Sequence, residues 1–420
     1  MKMKRKLTST LFTILSLFGI SSALASCGGN RNDNTITISR WASEWEKKIL
    51  TSWTDEFVKE NPQYKVKWEF SSYSSHFDKL RTDLLGELAS DVIFVNNWGW
   101  GPYQNINRFE NLGDAEELKD VYDTLLPSAK DNAYVQKGKI ISMPIGLVTR
   151  VPVVNKADWK NVEGGIPYNR EHAFTGKELV DLLDDVCTLT NKEMGINVTL
   201  NDALDYFLCS VDAPTFNEDG SFGLNNEAGY KAAQEFKEFV QSGVVVPYSQ
   251  ANGGTYGTVS DTLFYGNTIA GWANIGHMSN YTSNGLEVAT IAPMKATDGH
   301  DVAVGDFNAL VVPTFSKNKK GAFALIKWMM SKEQQLKYAS FSDLPVVQSA
   351  YDEVMTDTKN WNPEIVNSYK IGVDNIYVRR STTAEFQTYY DSCLKSLCNS
   401  PTYSGEDFCK AIATNGGKYL

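Results

Sequence analysis

A chain of 420 residues with 50 acidic against 40 basic side chains carries a formal charge of −10, and its Lys and Arg form no block beyond the first few residues. That balance excludes nucleic acid, and a polybasic grip on anionic lipid, as the main partner. The length suits two hydrophobic cores rather than one, while ten Trp and twenty Tyr supply rings for a site that binds by stacking.

In chain order, Lys2, Lys4, Arg5 and Lys6 precede an apolar stretch from Leu11 to Ile20. The stretch is too short to span a bilayer well, so residues 1–26 read as a signal segment. Leu24–Ala25–Ser26–Cys27 resembles a bacterial lipobox. This implies cleavage before Cys27, a lipid on its thiol, and a body held at the outer face of the cytoplasmic membrane. Residues 27–34 are polar and glycine-bearing, a tether with nothing to bury. Loss of the four leader cations takes the charge from −10 to about −14.

The mature chain opens on Thr35–Ser39, which alternates with period two and predicts a strand. Ser43 and Glu46 form a capping box before an apolar stripe through Ile49, Trp53 and Phe57, stopped at Asn61–Pro62. Trp45 and Trp53 read as core by their helical spacing. A second strand runs through Val66, Trp68 and Phe70, a helix covers His76 to Leu88, and Asp91–Val95 is a short apolar strand. This alternation predicts an open α/β sheet with ligand contacts at the carboxyl ends of its strands, where Trp41, Asn96, Asn97 and Trp98 fall.

From Ile145 to Lys156 the chain is extended and reads as a passage into a second lobe. Thr175 and Glu178 form another capping box, and helical patterns cover roughly 200–209 and 226–241. A strand near Thr268–Trp272 leads to Asn274–His277, and Val288–Pro293 reads as a return crossing. Asp306–Val312 is a further strand, Lys320–Tyr338 a helical run, and Leu344–Val346 a third crossing. The expected division is residues 35–147 and 293–344 for lobe 1, and 148–292 and 345–420 for lobe 2. Five cysteines remain beside Cys27. A disulfide within Cys393, Cys398 and Cys409 is expected, with Cys187–Cys209 a second candidate. The spacing does not suit a metal, and neither metal nor cofactor is expected.

Six pieces in order resemble the extracellular solute-binding proteins of ABC sugar importers, the maltose-binding-like type. They are Asp55–Pro62, Asp91–Phe94, Gly138–Pro144 with Val154–Lys156, Ala270–Gly276, Ser316–Trp328 and Leu344–Val346. The resemblance implies a periplasmic-binding-protein-like α/β fold: two lobes joined by three hinge crossings, with the ligand cleft between them. It also implies a monomer that closes on a carbohydrate, expected to be an oligosaccharide, and delivers it to the permease subunits of an ABC importer.

Candidate ligand contacts follow from that frame. Asn96, Asn97 and Trp98 offer planar amides for hydroxyls and a ring for C–H faces. The acidic, basic and aromatic residues of the maltose site are absent there, which turns the expectation away from maltose itself. Trp41 faces the cleft by its place after the first strand. Arg150 either forks onto ligand oxygens or pins the hinge through a carboxylate. Met278 stands where the family carries an aromatic, shifting stacking to Trp272 or Tyr281, and His277 reads as a neutral hydrogen-bonding group. Asp306, Asn308 and Asp343 complete the set, and of Arg379 and Arg380 one is expected in the cleft. The alternatives are a binder of polyamine, peptide or ferric chelate, and a secreted glycoside hydrolase. The hydrolase lacks any recognisable catalytic motif.

Overall fold

A computed structural model of the protein describes residues 34–160, 176–250, 259–290, 296, 299, 302–357, 366 and 376–420. The leader, Cys27, most of the tether and Thr175 lie outside them. The expected first strand forms as β1 (Thr35–Trp41), with Ile36 and Ile38 fully buried. It pairs in parallel with β2 (Lys65–Ser71) on one side and β3 (Val92–Asn96) on the other. Val92 to Val95 are all fully buried, as a strand covered on both faces requires. The helix Glu44–Glu60 connects β1 to β2. Its capping box is present, with the Ser43 backbone N–H donating to the Glu46 carboxylate at 2.8 Å.

After the small hairpin β4 (Val135–Gln136) and β5 (Lys139–Ile140), β6 (Met143–Thr149) ends the first run through this sheet. β11 (Ala303–Val311) returns antiparallel to both β3 and β6, and β12 (Ile376–Val378) joins β11 in parallel. The six-stranded sheet therefore runs β12-β11-β3-β1-β2, with β6 also on β11. The second sheet runs β10-β7-β9-β8, built from β7 (Val151–Asn155), β8 (Met194–Asn197), β9 (Thr268–Ala273) and β10 (Val288–Thr290). One core gathers Ile36, Phe94, Ile145 and Leu310, and another gathers Ile196, Leu204, Phe236 and Phe408. The protein is thus two α/β lobes, each with its own mixed sheet.

The ends of β6 and β12 meet the start of β11 on one rung. Gly305 pairs with Thr149 on one side and with Val378 on the other. The segment expected as the third crossing, Leu344–Val346, bonds to the first sheet and its neighbours. Leu344 bridges to Leu147, and Val346 donates its N–H to the Gln335 side chain while its carbonyl accepts from the Leu126 N–H. The next helix, Gln348–Thr356, then buries Ala350 and Val354 in the first core. After β12, the helix Ala384–Asn399 buries Phe386 and Leu397 in the second core. The expected helical run 320–338 is two helices, Lys319–Met329 and Lys332–Ala339, with Ser331 capping the second.

The expected disulfides are absent: Cys187, Cys209, Cys393, Cys398 and Cys409 are all free thiols. Cys393 and Cys398 stand five residues apart on one helix and so diverge around its axis. Cys409, on the helix Gly405–Asn415, turns its thiol to the carbonyl of Gly229 instead. Burial pushes the thiols of Cys398 and Cys409 up to about 12, which keeps them protonated and inert.

Candidate functional site

The carboxyl ends of β1 and β3 build a shelf of rings. Ser72 caps the helix Tyr73–Leu85 by accepting from the backbone N–H of Ser75. That start sets Tyr73, His76 and Phe77 at positions one, four and five, on one helical face. All three pack on the indole of Trp41, at centroid distances of 5.2, 5.3 and 5.5 Å. Tyr73 is 37 % exposed, the most open ring of the group. Its hydroxyl donates to Asn96 Oδ1 at 3.0 Å. The same oxygen accepts from the backbone N–H of Gly99, capping the short turn Asn97–Trp100. A Cβ at Gly99 would overlap the ring of Phe77, so only glycine lets this turn sit against the shelf.

His76 is buried, and its Nε2 donates to the carbonyl of Phe94 at 2.8 Å. Burial lowers its imidazole to about 4, so the ring is neutral at ordinary pH. The shelf as a whole carries no charge.

Beside it lies an ionic floor. Arg150, at the first passage, donates to Asp202 at 2.6 Å. Arg379, just past β12, forks onto Asp205 at 2.6 and 2.8 Å and reaches Asp202 at 3.0 Å. Both acids lie on the helix Leu200–Cys209 of the second lobe. Burial works against the charge of Arg379, but Asp205 and Asp202 outweigh it and hold the guanidinium protonated. Asp306 on β11 accepts from the backbone N–H of Asn97 at 2.9 Å. Burial pushes its carboxyl up to about 7, against the pull of Arg379 and that N–H.

Of the residues singled out from sequence, Trp41, Asn96, Asn97, Trp98, Arg150 and Asp306 come together here. They do not play one part. Trp41, Asn96 and Arg150 remain partly open. Asn97 is buried with both amide atoms engaged, its Oδ1 accepting from the Tyr134 hydroxyl and its Nδ2 donating to the Arg379 carbonyl. It holds the turn rather than facing open space. One face of Trp98 is covered by the Arg379 guanidinium at 5.1 Å, and Tyr390 meets its edge. Trp100 is the core member of the pair, stacked on Tyr134 at 4.7 Å.

A separate buried knot holds Asn308 and Asp343. The Asp343 carboxylate accepts from Asn308, Tyr338 and Ser342, and its other oxygen from Asn274. Both residues are at most 5 % exposed, so this knot braces the start of the helix Ile275–Ser283. There Gly276 presses so closely on the Ser342 backbone that a Cβ would collide with it. His277 is partly open and faces Trp45 at 6.5 Å. Trp45 is thus half-buried at the edge of the first core, not inside it. Trp272 and Tyr281, offered for stacking, are buried. Trp272 packs on Tyr206 in the second core. Arg380 is exposed beside Phe216.

Sequence reasoning missed Tyr73, Asp202 and Asp205. The one available signal was local: Ser72 before an aromatic at the first helical position, with His76 and Phe77 on the same face. Among the described residues no group of three His, Cys, Asp or Glu is placed to hold a metal.

Solved structures align along nearly the whole chain. An ABC substrate-binding protein of Listeria monocytogenes in complex with cycloalternan is 18 % identical, covers 91 % of this chain and 98 % of its own, and gives a TM-score of 0.76. Maltose-bound MalE3 of T. maritima is 19 % identical over 92 % and 100 %, with a TM-score of 0.75. The GacH receptor of Streptomyces glaucescens, solved unliganded and with acarbose, is 20 % identical over 92 % and 98 %, with a TM-score of 0.73. At such identities the likeness speaks for the fold. A search of curated protein sequences finds no match. The family model for bacterial extracellular solute-binding proteins matches residues 52–365, three quarters of the chain. With two α/β lobes and a family model that spans three quarters of its length, the chain belongs to the family of bacterial extracellular solute-binding proteins.

Proposed function

We propose that the protein captures a carbohydrate, an oligosaccharide rather than a single sugar, between its two lobes and passes it to an ABC importer. The observation that carries this reading is the uncharged shelf of Trp41 and the exposed Tyr73, next to the Asn96 amide and the half-open Arg150. A sugar ring offers C–H patches to an aromatic face and hydroxyls to amides and guanidinium. Tyr73, Trp41, Asn96, Arg150, His277 and Asp306 are the proposed contacts, and Trp98 the joint behind them. The solved relatives hold cycloalternan, maltose and acarbose, all saccharides, which supports the same class here. A polyamine is less well served, because Asp202 and Asp205 already face Arg150 and Arg379.

The mechanism needs no reacting group. Contacts from both lobes exist together only when the lobes are close, so solute shifts the equilibrium towards closure by its differential affinity. We place lobe 1 at residues 35–147 together with the segment from 293 through β12, and lobe 2 in the remainder. Cys27 as a lipid-bearing first residue would keep the body at the outer face of the membrane. No helix among the described residues is long and apolar enough to cross one.

Thermal-shift screening of the mature chain tests the ligand class. A saccharide at 100 times its Kd adds about 2.7 kcal/mol of stability. Maltotriose, cycloalternan, xylo- and laminari-oligosaccharides, spermidine, a tripeptide and a ferric chelate form a sufficient panel. A shift with an oligosaccharide is expected; a shift with only a non-sugar would overturn the reading.

A further inference from the structure

We infer that Arg379 is the positioning residue of the hinge, tying the ligand-facing turn of lobe 1 to the helix Leu200–Cys209 of lobe 2 and thereby setting how far the empty lobes stand apart. The inference rests on the reading that the two lobes close on solute, and not on which solute it is.

Arg379 belongs to both lobes at once. Its backbone follows β12 in the first sheet: its N–H donates to the Gly305 carbonyl at 3.3 Å, and its own carbonyl accepts from Asn97 at 3.3 Å. Its guanidinium is held by Asp205 and Asp202 of the second lobe and lies over Trp98. The rung Thr149–Gly305–Val378 joins the ends of β6 and β12 to the start of β11, where the proposed division puts the passages between lobes, so a contact there acts at the pivot.

Neighbouring bonds close the same gap. The Tyr206 hydroxyl donates to the Arg150 carbonyl at 2.7 Å, and the Arg150 guanidinium donates to Asp202 at 2.6 Å. The helix Leu200–Cys209 is thus seated on the rung by two arginines and a tyrosine. Of these, Arg379 alone also touches the turn that carries Asn97 and Trp98. Asp205 is 2 % exposed and accepts further from Thr215. An ion pair this deeply withdrawn from water holds only while the helix stays against the rung. Its loss should therefore let the lobes swing wider.

The test compares the ligand-free mature protein with R379K, which keeps the charge but loses the two-pronged fork, and with the double variant Arg379→Gln/Asp205→Asn. The double variant removes the principal pair together, so that Asp205 is not stranded as a buried charge. Circular dichroism and a cooperative melt establish that each is folded. Small-angle scattering then reads the empty state. The double variant is expected to show a larger radius of gyration than the wild type, with R379K between them. The affinity for whichever panel solute stabilises the wild type should fall about ten-fold in the double variant. A folded double variant whose ligand-free radius equals or falls below that of the wild type overturns the inference. Because that readout uses no ligand, it stands apart from failure of the carbohydrate reading.

Discussion

Two surfaces flank the turn at Asn96–Trp98, and they are opposites. The shelf of Trp41, Tyr73, His76 and Phe77 is uncharged, comes from one strand end and one helix face, and leaves a ring partly open. The floor of Arg150, Asp202, Asp205, Asp306 and Arg379 is ionic, joins two lobes, and spends most of its hydrogen bonds on itself. The difference teaches a division of labour. In the proposed function the shelf offers its open contact area to solute, while the matched charges of Asp202, Asp205 and Arg379 fix geometry and Arg150 and Asp306 border both.

The largest expected effect belongs to the floor. Asp205→Ala removes the principal partner of a buried guanidinium, and breaking such a pair costs about 3–5 kcal/mol. Urea denaturation reads this directly, and a loss under about 1 kcal/mol would mean the floor is not a buried network. On the shelf the expectation reverses. Tyr73→Ala should cost far less stability than Asp205→Ala, since the ring is 37 % exposed and carries no charge, yet weaken oligosaccharide binding about ten-fold, within the range of one aromatic contact. Titration calorimetry decides it, and equal affinities would remove Tyr73 from the site.

Acidity separates the two surfaces by sign. The His76 imidazole is lowered from 6.5 to about 4 by burial. Between those values the unfolded chain binds a proton that the folded one does not, so this group makes stability rise with pH. Asp306 is raised from 3.8 to about 7, again by burial first. There the folded state holds the extra proton, and its contribution falls as pH rises through that window. Denaturation midpoints between pH 4 and pH 8 should show Asp306→Asn lacking the falling part and His76→Gln lacking the rising part. Identical profiles for the two variants would contradict the contrast. The smallest effect is Tyr73→Phe, which keeps the ring and loses only the internal bond to Asn96, a change of about 0.5–1.5 kcal/mol in stability by urea denaturation.

The same contrast explains what could be read in advance. Period-two alternation located β1 and β2, the box at Ser43 and Glu46 located the first long helix, and the strand ends located Trp41 and Asn96–Trp98. These are local signals, carried within a turn or a strand. The floor joins Asn97 to Arg379, 282 positions away, and Arg379 to Asp205, 174 positions away, and no local pattern marks such partners. The contacts of Leu344–Val346 are long-range in the same way. Leu344–Pro345–Val346 looks extended, but its backbone bonds to Leu147, Leu126 and Gln335 keep it in the first lobe. Trp272 misled in another way. An aromatic at a strand end reads alike whether it faces a cleft or, as here, Tyr206 in a core. The cysteine count suggested bridges where helix geometry turns the thiols apart.

Closure on a solute is the claim on which the rest depends. Small-angle scattering of the wild-type mature protein, with and without the oligosaccharide that gives the largest thermal shift, tests it most directly. A smaller radius of gyration on saturation is expected, reached at the concentration where the thermal shift levels off. A radius that stays constant while that oligosaccharide is demonstrably bound would contradict it.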